Sequence, residues 1–142
     1  MPTSNPCRDD LVNWFECGVS AVRGDTAVRR FLSARELQGE LYPIAIGKAA
    51  SAMLRGALDV CESQTVRSLL ITKHGHVEPA ISGHSAPVEC LESSHPVPGE
   101  DSLLAGHRLL KFIASTPTNA HLLFLLSGGA SSLVECLPGG HP

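Results

Sequence analysis

The chain has 142 residues, of which 43% are hydrophobic and 18% charged, a composition typical of one globular domain or of a piece of a larger one. Its formal net charge is −3, so it has no basic field to hold a nucleic-acid backbone or an anionic membrane. The longest uninterrupted apolar run, residues 122–126, is far shorter than the roughly 20 residues of a membrane-spanning helix, and the N-terminus has no basic-then-apolar signal pattern. We therefore predict a cytoplasmic protein that binds neither nucleic acid nor membrane.

The cysteine and aromatic contents narrow the class further. The five cysteines are widely spread, odd in number and contain no C-x-x-C pair, so neither a disulfide framework nor a zinc site is predicted, and buried free thiols are expected. Only 4% of residues are aromatic, whereas 13 are glycine and 10 are proline. This balance favours short strands and tight turns, and hence an α/β fold.

Two helices are predicted before the first strand. Asp9 or Asp10 caps the first helix and Gly24 ends it, and its inward face is formed by Leu11, Trp14, Phe15, Val19 and Val22. Asp25 is predicted to cap a second, shorter helix, whose inward residues are Val28, Phe31 and Leu32. Both helices are therefore expected to pack against the interior.

Strands are predicted at four segments, residues 41–46, 68–72, 88–92 and 121–126, because a short strand-like segment followed by a turn recurs along the chain. The last is apolar at almost every position, as in a strand buried on both faces. Pro43 has no N–H to donate, so pairing of the first strand is expected to begin at or after Ile44. A helix of small residues follows this strand from Ala49, and another helix over about residues 100–115 presents Leu103, Leu110 and Ile113 on one side.

This alternation of strands and helices predicts an α/β fold with a parallel or mostly parallel sheet, right-handed crossovers and flanking helices. Ligands of such sheets bind beyond the carboxyl ends of the strands. Because each glycine-bearing turn follows a predicted strand, we expect the chemistry at that edge of the sheet.

The strongest local signal is the turn Ser127-Gly128-Gly129-Ala130-Ser131-Ser132, directly after the last strand. Two glycines allow backbone N–H groups to approach an anion, and the N-terminus of a following helix adds its positive dipole end. The hydroxyls of Ser127 and Ser131 are further donors. The turn therefore predicts a phosphate or carboxylate site; the alternative is a strand-to-helix turn with a serine cap.

A second candidate is Gly47-Lys48, which places a cation at a strand end where a helix begins. Lys48 is positioned to meet a phosphate or the charge that develops in a transfer reaction, and the alternative is an exposed surface lysine. The segment is not a P-loop, because Tyr42 and Ala49 occupy positions where that motif requires glycine and serine or threonine. A G-x-S-x-G nucleophile elbow and a G-x-G-x-x-G dinucleotide motif are also missing, which disfavours serine hydrolase and dehydrogenase chemistry.

The histidines form no specific metal pattern. His74, His76, His84, His95 and Cys90 are conceivable ligands, but their spacing favours turn or substrate-binding roles, and no metal ligand is predicted. Pro96 and Pro98 stiffen the loop that carries His95. His95 is therefore a candidate binding residue, with a rigid connector as the alternative.

Three motifs in this order resemble the type II glycerate kinases, also known as the DUF4147/MOFRL group and historically named hydroxypyruvate reductases. They are Gly47-Lys48-Ala49-Ala50, Ser94-His95-Pro96-Val97-Pro98 and Ser127-Gly128-Gly129-Ala130-Ser131-Ser132-Leu133. The segment Thr72-Lys73-His74-Gly75-His76 also matches, where the family has a strand ending in a Gly-His pair. The resemblance runs over nearly the whole chain, which covers about the opening third of the family's length.

The resemblance implies ATP-dependent transfer of a phosphoryl group to the 2-hydroxyl of D-glycerate, with Mg²⁺ or another divalent cation. The implied cleft lies between a large Rossmann-like domain, of which this chain is a part, and a smaller C-terminal domain. Lys48 matches a lysine that acts in catalysis through charge stabilisation, and His95 and the turn residues Ser127, Gly128, Gly129, Ala130, Ser131 and Ser132 match substrate or phosphate binding. This assignment suits phosphoryl transfer, which depends on positioning and on neutralising negative charge.

The sequence departs from the family pattern at two positions. Ala130 stands where many members have a third glycine, and Gly99 stands where aspartate is common. Neither change removes a charged catalytic group.

Residues 1–142 are expected to form the N-terminal portion of the large DUF4147 domain, without the MOFRL domain. The chain alone is expected to be inactive and to expose apolar surface or a strand edge, which favours marginal stability or self-association, for example as a homodimer. The alternatives are a non-catalytic remnant or small-anion-binding module, and the historical hydroxypyruvate reductase.

Overall fold

The computed structural model describes residues 6–137, in which helices and strands alternate after two N-terminal helices. The helices are α1 (Pro6–Ala21), α2 (Gly24–Ser33), α3 (Ala50–Cys61), α4 (Glu100–Ala114) and α5 (Ala130–Leu133). The strands are β1 (Leu41–Ile46), β2 (Ser68–Lys73), β3 (Val88–Ser93) and β4 (His121–Leu126). Short 3₁₀ turns cover Glu62–Gln64 and Pro79–Gly83. All four predicted strands are therefore present, within one residue of their predicted ends.

The four strands form one parallel sheet in the order β3-β2-β1-β4. Helices α2 and α3 cover one face, the α2/α3 face, where Leu32, Leu54, Leu58 and Leu70 form a buried cluster. Helices α4 and α5 pack on the opposite α4/α5 face, whose buried cluster includes Tyr42, Ile44, Ile71, Phe112 and Leu133. The predicted α/β architecture with a parallel sheet and flanking helices is confirmed.

Proline in β1 affects one neighbour and not the other. β1 pairs with β4 from Leu41 onward, whereas its regular pairing with β2 begins at Ile44. The backbone oxygen of Leu41 accepts from Val66 and the N–H of Gly47 donates to Ile71, so odd-numbered residues of this segment bond toward the β2 side. The missing N–H of Pro43 therefore faces β2. The predicted start of pairing is correct on that side and wrong on the β4 side.

Helix α1 differs from its prediction. It begins at Pro6 rather than after an Asp9 or Asp10 cap. Proline is favourable in the first turn of a helix, because the N–H groups of that turn have no partner within the helix and the N–H that proline lacks is not needed there. Its side chains are exposed from residue 7 to its end, including the predicted inward residues, with Trp14 at 69% and Phe15 at 70% exposure. The periodicity of the sequence indicates an apolar stripe on α1, but it does not indicate which element packs against that stripe. No element within residues 6–137 covers it.

Helix α2 also corrects two predictions. Gly24 is its first residue rather than the end of α1, and Arg23, not Asp25, is its N-cap. Asp25 lies within the first turn of the helix, where arginines bind its carboxylate. Val28 and Leu32 are buried as predicted. Phe31 is 54% exposed, and the Arg35 guanidinium stacks over its ring at 3.4 Å. The inward face is therefore narrower than the hydrophobic pattern indicates.

Helix α4 packs through small residues. The predicted face is wrong for Leu103 and Leu110, which are exposed, and correct only for the partly buried Ile113. The buried residues are Ser102, Ala105, Gly106 and Phe112. A Cβ on Gly106 would lie 1.9 Å from the backbone oxygen of Glu135, so this face allows the chain to approach closely. The inward face of α4 is therefore the one whose small residues allow the backbone near Glu135 to approach closely, and not the one with the largest apolar side chains.

Strand β4 is an edge strand in the described part of the chain. The prediction that it is buried on both faces is wrong, because Phe124 is 46% and Leu126 is 60% exposed while Leu125 is buried against α2 and α3. Helices α4 and α5 lie over β2 and β3 on the other side. The expected uncovered apolar surface is therefore present at β4.

The cysteines are free, as predicted, but four of the five are exposed, which corrects the prediction of buried thiols. Cys61 is the buried one, and burial raises the pKa of its thiol. No helix of residues 6–137 is long and apolar enough to cross a membrane.

A buried carboxylate joins α2 to α3. Asp25 Oδ2 accepts from the Arg55 guanidinium at 2.6 Å, and Arg23 and the Thr26 N–H bond to its carboxylate as well. Burial by itself would raise the pKa of Asp25, but these hydrogen bonds outweigh it and hold the pKa well below its usual range. Arg55 also pairs with Glu78, so the network connects both helices to the segment after β2.

We expect this network to make stability depend on pH. A carboxyl whose folded-state pKa is lowered stabilises the fold above its unfolded-state pKa of about 4, and this contribution is lost as pH falls toward the folded-state pKa. The free energy of unfolding, measured by urea titration, should therefore fall below about pH 4. The Asp25→Asn variant should show a flatter profile, while Asp10→Asn, at an exposed position of α1 with no ion pair among residues 6–137, should retain the wild-type one; identical profiles for wild type and Asp25→Asn would contradict this role.

Helices α2 and α3 also depend on a glycine. A Cβ on Gly56 would lie 2.4 Å from the backbone oxygen of Asp25. Alanine normally stabilises a helix relative to glycine, but Gly56→Ala should reduce the free energy of unfolding by about 1–3 kcal/mol because the two helices must separate. Gly18→Ala in α1, where nothing lies within 4 Å, is the matched control and should cause no loss. Equal stabilisation of both variants in urea unfolding would rule out the close contact.

Candidate functional site

The candidate residues lie where the connections after two neighbouring strands leave toward opposite faces of the sheet. β1 leads through Gly47 and Lys48 into α3 on the α2/α3 face, and β4 leads through residues 127–129 into α5 on the α4/α5 face. Neighbouring connections that diverge in this way leave a crevice at the carboxyl edge of a parallel sheet. The structure therefore places both glycine turns at the point where such sheets bind ligands.

Hydrogen bonds join the two turns. The backbone N–H of Lys48 donates to the Gly128 oxygen at 3.0 Å, and the N–H of Ala49 donates to Ser127 Oγ at 3.0 Å. The Ser127 N–H donates to the Ile46 oxygen at 2.9 Å, and Thr72 Oγ1 donates to the Gly47 oxygen at 2.9 Å. The turns after β1 and β4 and the last part of strand β2 thus form one hydrogen-bonded unit.

Two glycines in this unit have conformations and contacts that other residues would disrupt. Gly47 has φ +126°, and a Cβ on it would lie 2.2 Å from Ser127 Oγ. Gly129 has φ +91°, and a Cβ on it would lie 2.8 Å from both Cδ2 and Nε2 of His95. The imidazole of His95 therefore packs directly on the turn after β4.

The Lys48 side chain runs along the same turn. Its Cγ is 3.5 Å from the Cβ position of Gly129, and its Cε is 4.0 Å from that of Gly128. Lys48 is exposed and forms no ion pair with any residue between 6 and 137. Its ammonium charge is thus available to an anion beside the turn.

The turn also has uncommitted backbone donors. The N–H groups of Gly128 and Gly129 have no acceptor among the described residues. The expected dipole of a following helix is a weaker feature than predicted, because α5 has only four residues. Two N–H groups beside an unpaired lysine and an imidazole favour an anion with several oxygens, such as a phosphate.

The serines of the turn have different environments. Ser127 Oγ accepts from the Ala49 N–H and Ser132 Oγ donates to the Gly129 oxygen, so both hold the turn together. Ser131 is exposed, and its hydroxyl has no partner in the part of the chain described. Gly129, not a serine, is the N-cap of α5, and Ala130 is the first residue of that helix. Of the predicted hydroxyl donors, Ser131 therefore fits a ligand-binding role better than Ser127.

A cluster that the sequence did not indicate lies on the adjoining loops. His74 Nε2 is 2.9 Å from Asp101 Oδ2, and Ser94 Oγ donates to the same oxygen at 3.3 Å. Glu92 Oε1 accepts from the Gly75 N–H at 2.8 Å. The only sequence signal for Asp101 is an acidic residue in the first turn of α4, because its contacts come from two other loops.

The histidines do not gather into a metal site. His84 Nδ1 lies 3.6 Å from Glu62, away from His74, and the backbone oxygen of His76 accepts from Ser51. Across residues 6–137 no group of three or more His, Cys, Asp or Glu side chains is arranged to hold a metal ion.

Comparison with known proteins places this geometry in a family. Residues 10–140 match the family described as "Domain of unknown function (DUF4147)". The chain is 36% identical over 117 residues to D-glycerate 2-kinase of Thermotoga maritima, covering 82% of this chain and 27% of that protein. It is 29% identical over 127 residues to a putative hydroxypyruvate reductase of Agrobacterium vitis, covering 89% of this chain and 28% of that protein.

A solved structure agrees with the fold. The crystal structure of glycerate kinase from Thermotoga maritima superposes with a TM-score of 0.77 at 33% sequence identity, covering 89% of this chain and 30% of that one. The chain thus spans less than a third of the length of these relatives. With the matched segment extending from the first helix past α5, this chain belongs to the DUF4147 family.

Proposed function

We propose that this chain forms the phosphate-binding wall of a D-glycerate 2-kinase, which transfers the γ-phosphoryl group of ATP to the 2-hydroxyl of D-glycerate. The observation that carries the proposal is the unpaired Lys48 beside the uncommitted N–H groups of Gly128 and Gly129. The name of the Thermotoga maritima relative supports the substrate assignment.

The proposed reaction needs charge stabilisation. The 2-hydroxyl oxygen of D-glycerate attacks the γ-phosphorus, the bond to ADP breaks and the hydroxyl proton is released, while negative charge spreads over the other phosphoryl oxygens. Lys48 acts as the catalytic residue by stabilising that charge, and the turn N–H groups donate to the same oxygens. The N–H groups are held in place by the backbone before the ligand arrives, so these donors require little reorganisation.

His95 is the proposed neighbour of the transferred group or of D-glycerate. Its ring packs on Gly129, within reach of any anion held by the turn. Ser131 adds an exposed hydroxyl from the same turn. Ser127 and Ser132 contribute hydrogen bonds that hold the turn in shape, and Ala130 packs against the buried cluster of the α4/α5 face.

ATP and Mg²⁺ fit these residues to different degrees. The lysine and the N–H groups suit phosphate oxygens, so we assign ATP phosphates to the turn. The hard oxygen ligands that Mg²⁺ requires are not grouped anywhere in residues 6–137, so no step is assigned to the metal on this chain.

The proposal includes the organisation of the whole protein. Residues 1–142 form the N-terminal part of the large domain, and a smaller C-terminal domain supplies the opposite wall of the cleft. We propose a cytoplasmic location, which suits five free thiols, and self-association of the chain when it is alone, through the open edge of β4.

The catalytic role of Lys48 is tested in a chimera that replaces the matching segment of the Thermotoga maritima relative with this chain. The chimera should form 2-phosphoglycerate from ATP and D-glycerate, and Lys48→Ala should lower kcat by about 10²–10³-fold because the positive charge that stabilises the phosphoryl oxygens is lost. Lys111→Ala, at the far end of α4, should keep the chimera's rate. Near-normal turnover by Lys48→Ala would remove Lys48 from catalysis, and NADH oxidation with hydroxypyruvate in place of kinase activity would favour a reductase.

The chain alone should bind an anion without turnover. Titration with inorganic phosphate, followed by amide chemical shifts, should perturb Gly128 and Gly129 first. Gly129→Ala should weaken binding at least about tenfold, because the new Cβ strains the backbone and displaces His95. Gly83→Ala, in open space, is the control. A folded chain with no shift in the turn would contradict the phosphate site, and glycerate-dependent ADP production by the chain alone would contradict its incompleteness.

A further inference from the structure

The Asp101 carboxylate links two loops that the sequence keeps apart. Asp101 lies in the first turn of α4, and its Oδ2 contacts both His74, on the loop after β2, and Ser94, on the loop after β3. Glu92 strengthens the same junction by accepting from the Gly75 N–H and by lying 3.9 Å from His74 Nδ1. One carboxylate oxygen of Asp101 therefore joins the first residues of the loops that follow β2 and β3.

This junction lies one residue from the imidazole that packs on the anion-binding turn. Ser94 immediately precedes His95, so the Ser94–Asp101 hydrogen bond restrains the backbone from which the ring projects. On the other side of that ring, Cδ2 and Nε2 lie 2.8 Å from the Cβ position of Gly129. The ring is thus held between a restrained loop and the glycine turn.

We propose that Asp101 is a positioning residue, which holds His95 against Gly129 by accepting hydrogen bonds from Ser94 and His74. Asp101 contacts neither Lys48 nor the turn and acts only through this loop. The functional consequence rests on the proposed phosphate site. Without the Asp101 hydrogen bonds the loop that carries His95 is no longer restrained, and the imidazole is no longer held beside the Gly128 and Gly129 N–H groups that bind the anion.

A purely local role for Asp101 is the alternative. An acidic residue in the first turn of a helix interacts favourably with the positive end of the helix dipole. Glu100 is an acidic residue in the same turn of α4, is exposed and has no link to the His95 loop, so it offers a matched control. Any effect of Asp101 on the helix alone should be shared by Glu100.

The contact itself can be measured on the full chain without a ligand. One α-hydrogen of Gly129 occupies the Cβ direction, so it lies close to the His95 ring and should give a nuclear Overhauser effect to Hδ2 of that ring. Asp101→Ala and Ser94→Ala should each abolish this signal, whereas Glu100→Ala should retain it. Asp101→Asn keeps an oxygen that accepts from Ser94 and should restore it.

A second measurement uses inorganic phosphate as the probe. Asp101→Ala should raise the Kd for phosphate by about fivefold, as expected for the loss of one hydrogen bond, and the double variant with Ser94→Ala should be no weaker than Asp101→Ala alone. Additive losses would mean that the two residues act separately and would overturn the link.

The outcomes separate this inference from the proposed function. An unchanged Overhauser effect in both Asp101→Ala and Ser94→Ala, or its equal loss in Glu100→Ala, overturns the positioning role. If Asp101→Ala does not fold, Ser94→Ala, compared with Glu100→Ala, decides the same question. A wild-type chain that shows the contact and its loss in the variants, but no phosphate binding, supports the positioning role and contradicts the phosphate site.

Discussion

The site depends on the close approach of the turn after β1 to the turn after β4. Gly47 has no Cβ, and this allows Ser127 to come near enough for its Oγ to accept from the Ala49 N–H at 3.0 Å. The Lys48 N–H then reaches the Gly128 oxygen, and Gly129 presents its open side to His95. Any side chain at Gly47 would separate the turns and with them the lysine, the imidazole and the free N–H groups.

Glycines also allow close backbone contacts at two positions that support the fold and not the site. Gly56 allows α3 to contact the backbone of α2, and Gly106 allows α4 to contact the segment after α5. Asp25 and Arg55 then join α2 and α3 electrostatically, so the helices that support Lys48 are held by both packing and charge. A rigid support is needed because the proposed chemistry depends on donors that are in place before the phosphate arrives.

Two elements of this chain, α1 and β4, expose apolar side chains. The α1 stripe around Trp14 and the β4 residues Phe124 and Leu126 are exposed, while the core between the helices and the sheet is fully buried. The chain matches less than a third of the length of its relatives. The kinase activity is therefore proposed for the whole protein, and the proposed anion site of the turn and the Asp101 junction belong to this part of it.

The sequence by itself determined the positions of the strands and of the glycine turns after β1, β2 and β4, because short segments rich in apolar residues, followed within two residues by glycine, mark the ends of these strands. It also indicated Lys48 and the Ser127–Ser132 turn through short motifs of adjacent residues. Only the tertiary structure decided that Pro43 affects one neighbour of β1, that α1 and β4 expose apolar side chains, and that Asp101 joins Ser94 to His74. These features depend on strand order and on which element covers which face, and local periodicity carries no information about either.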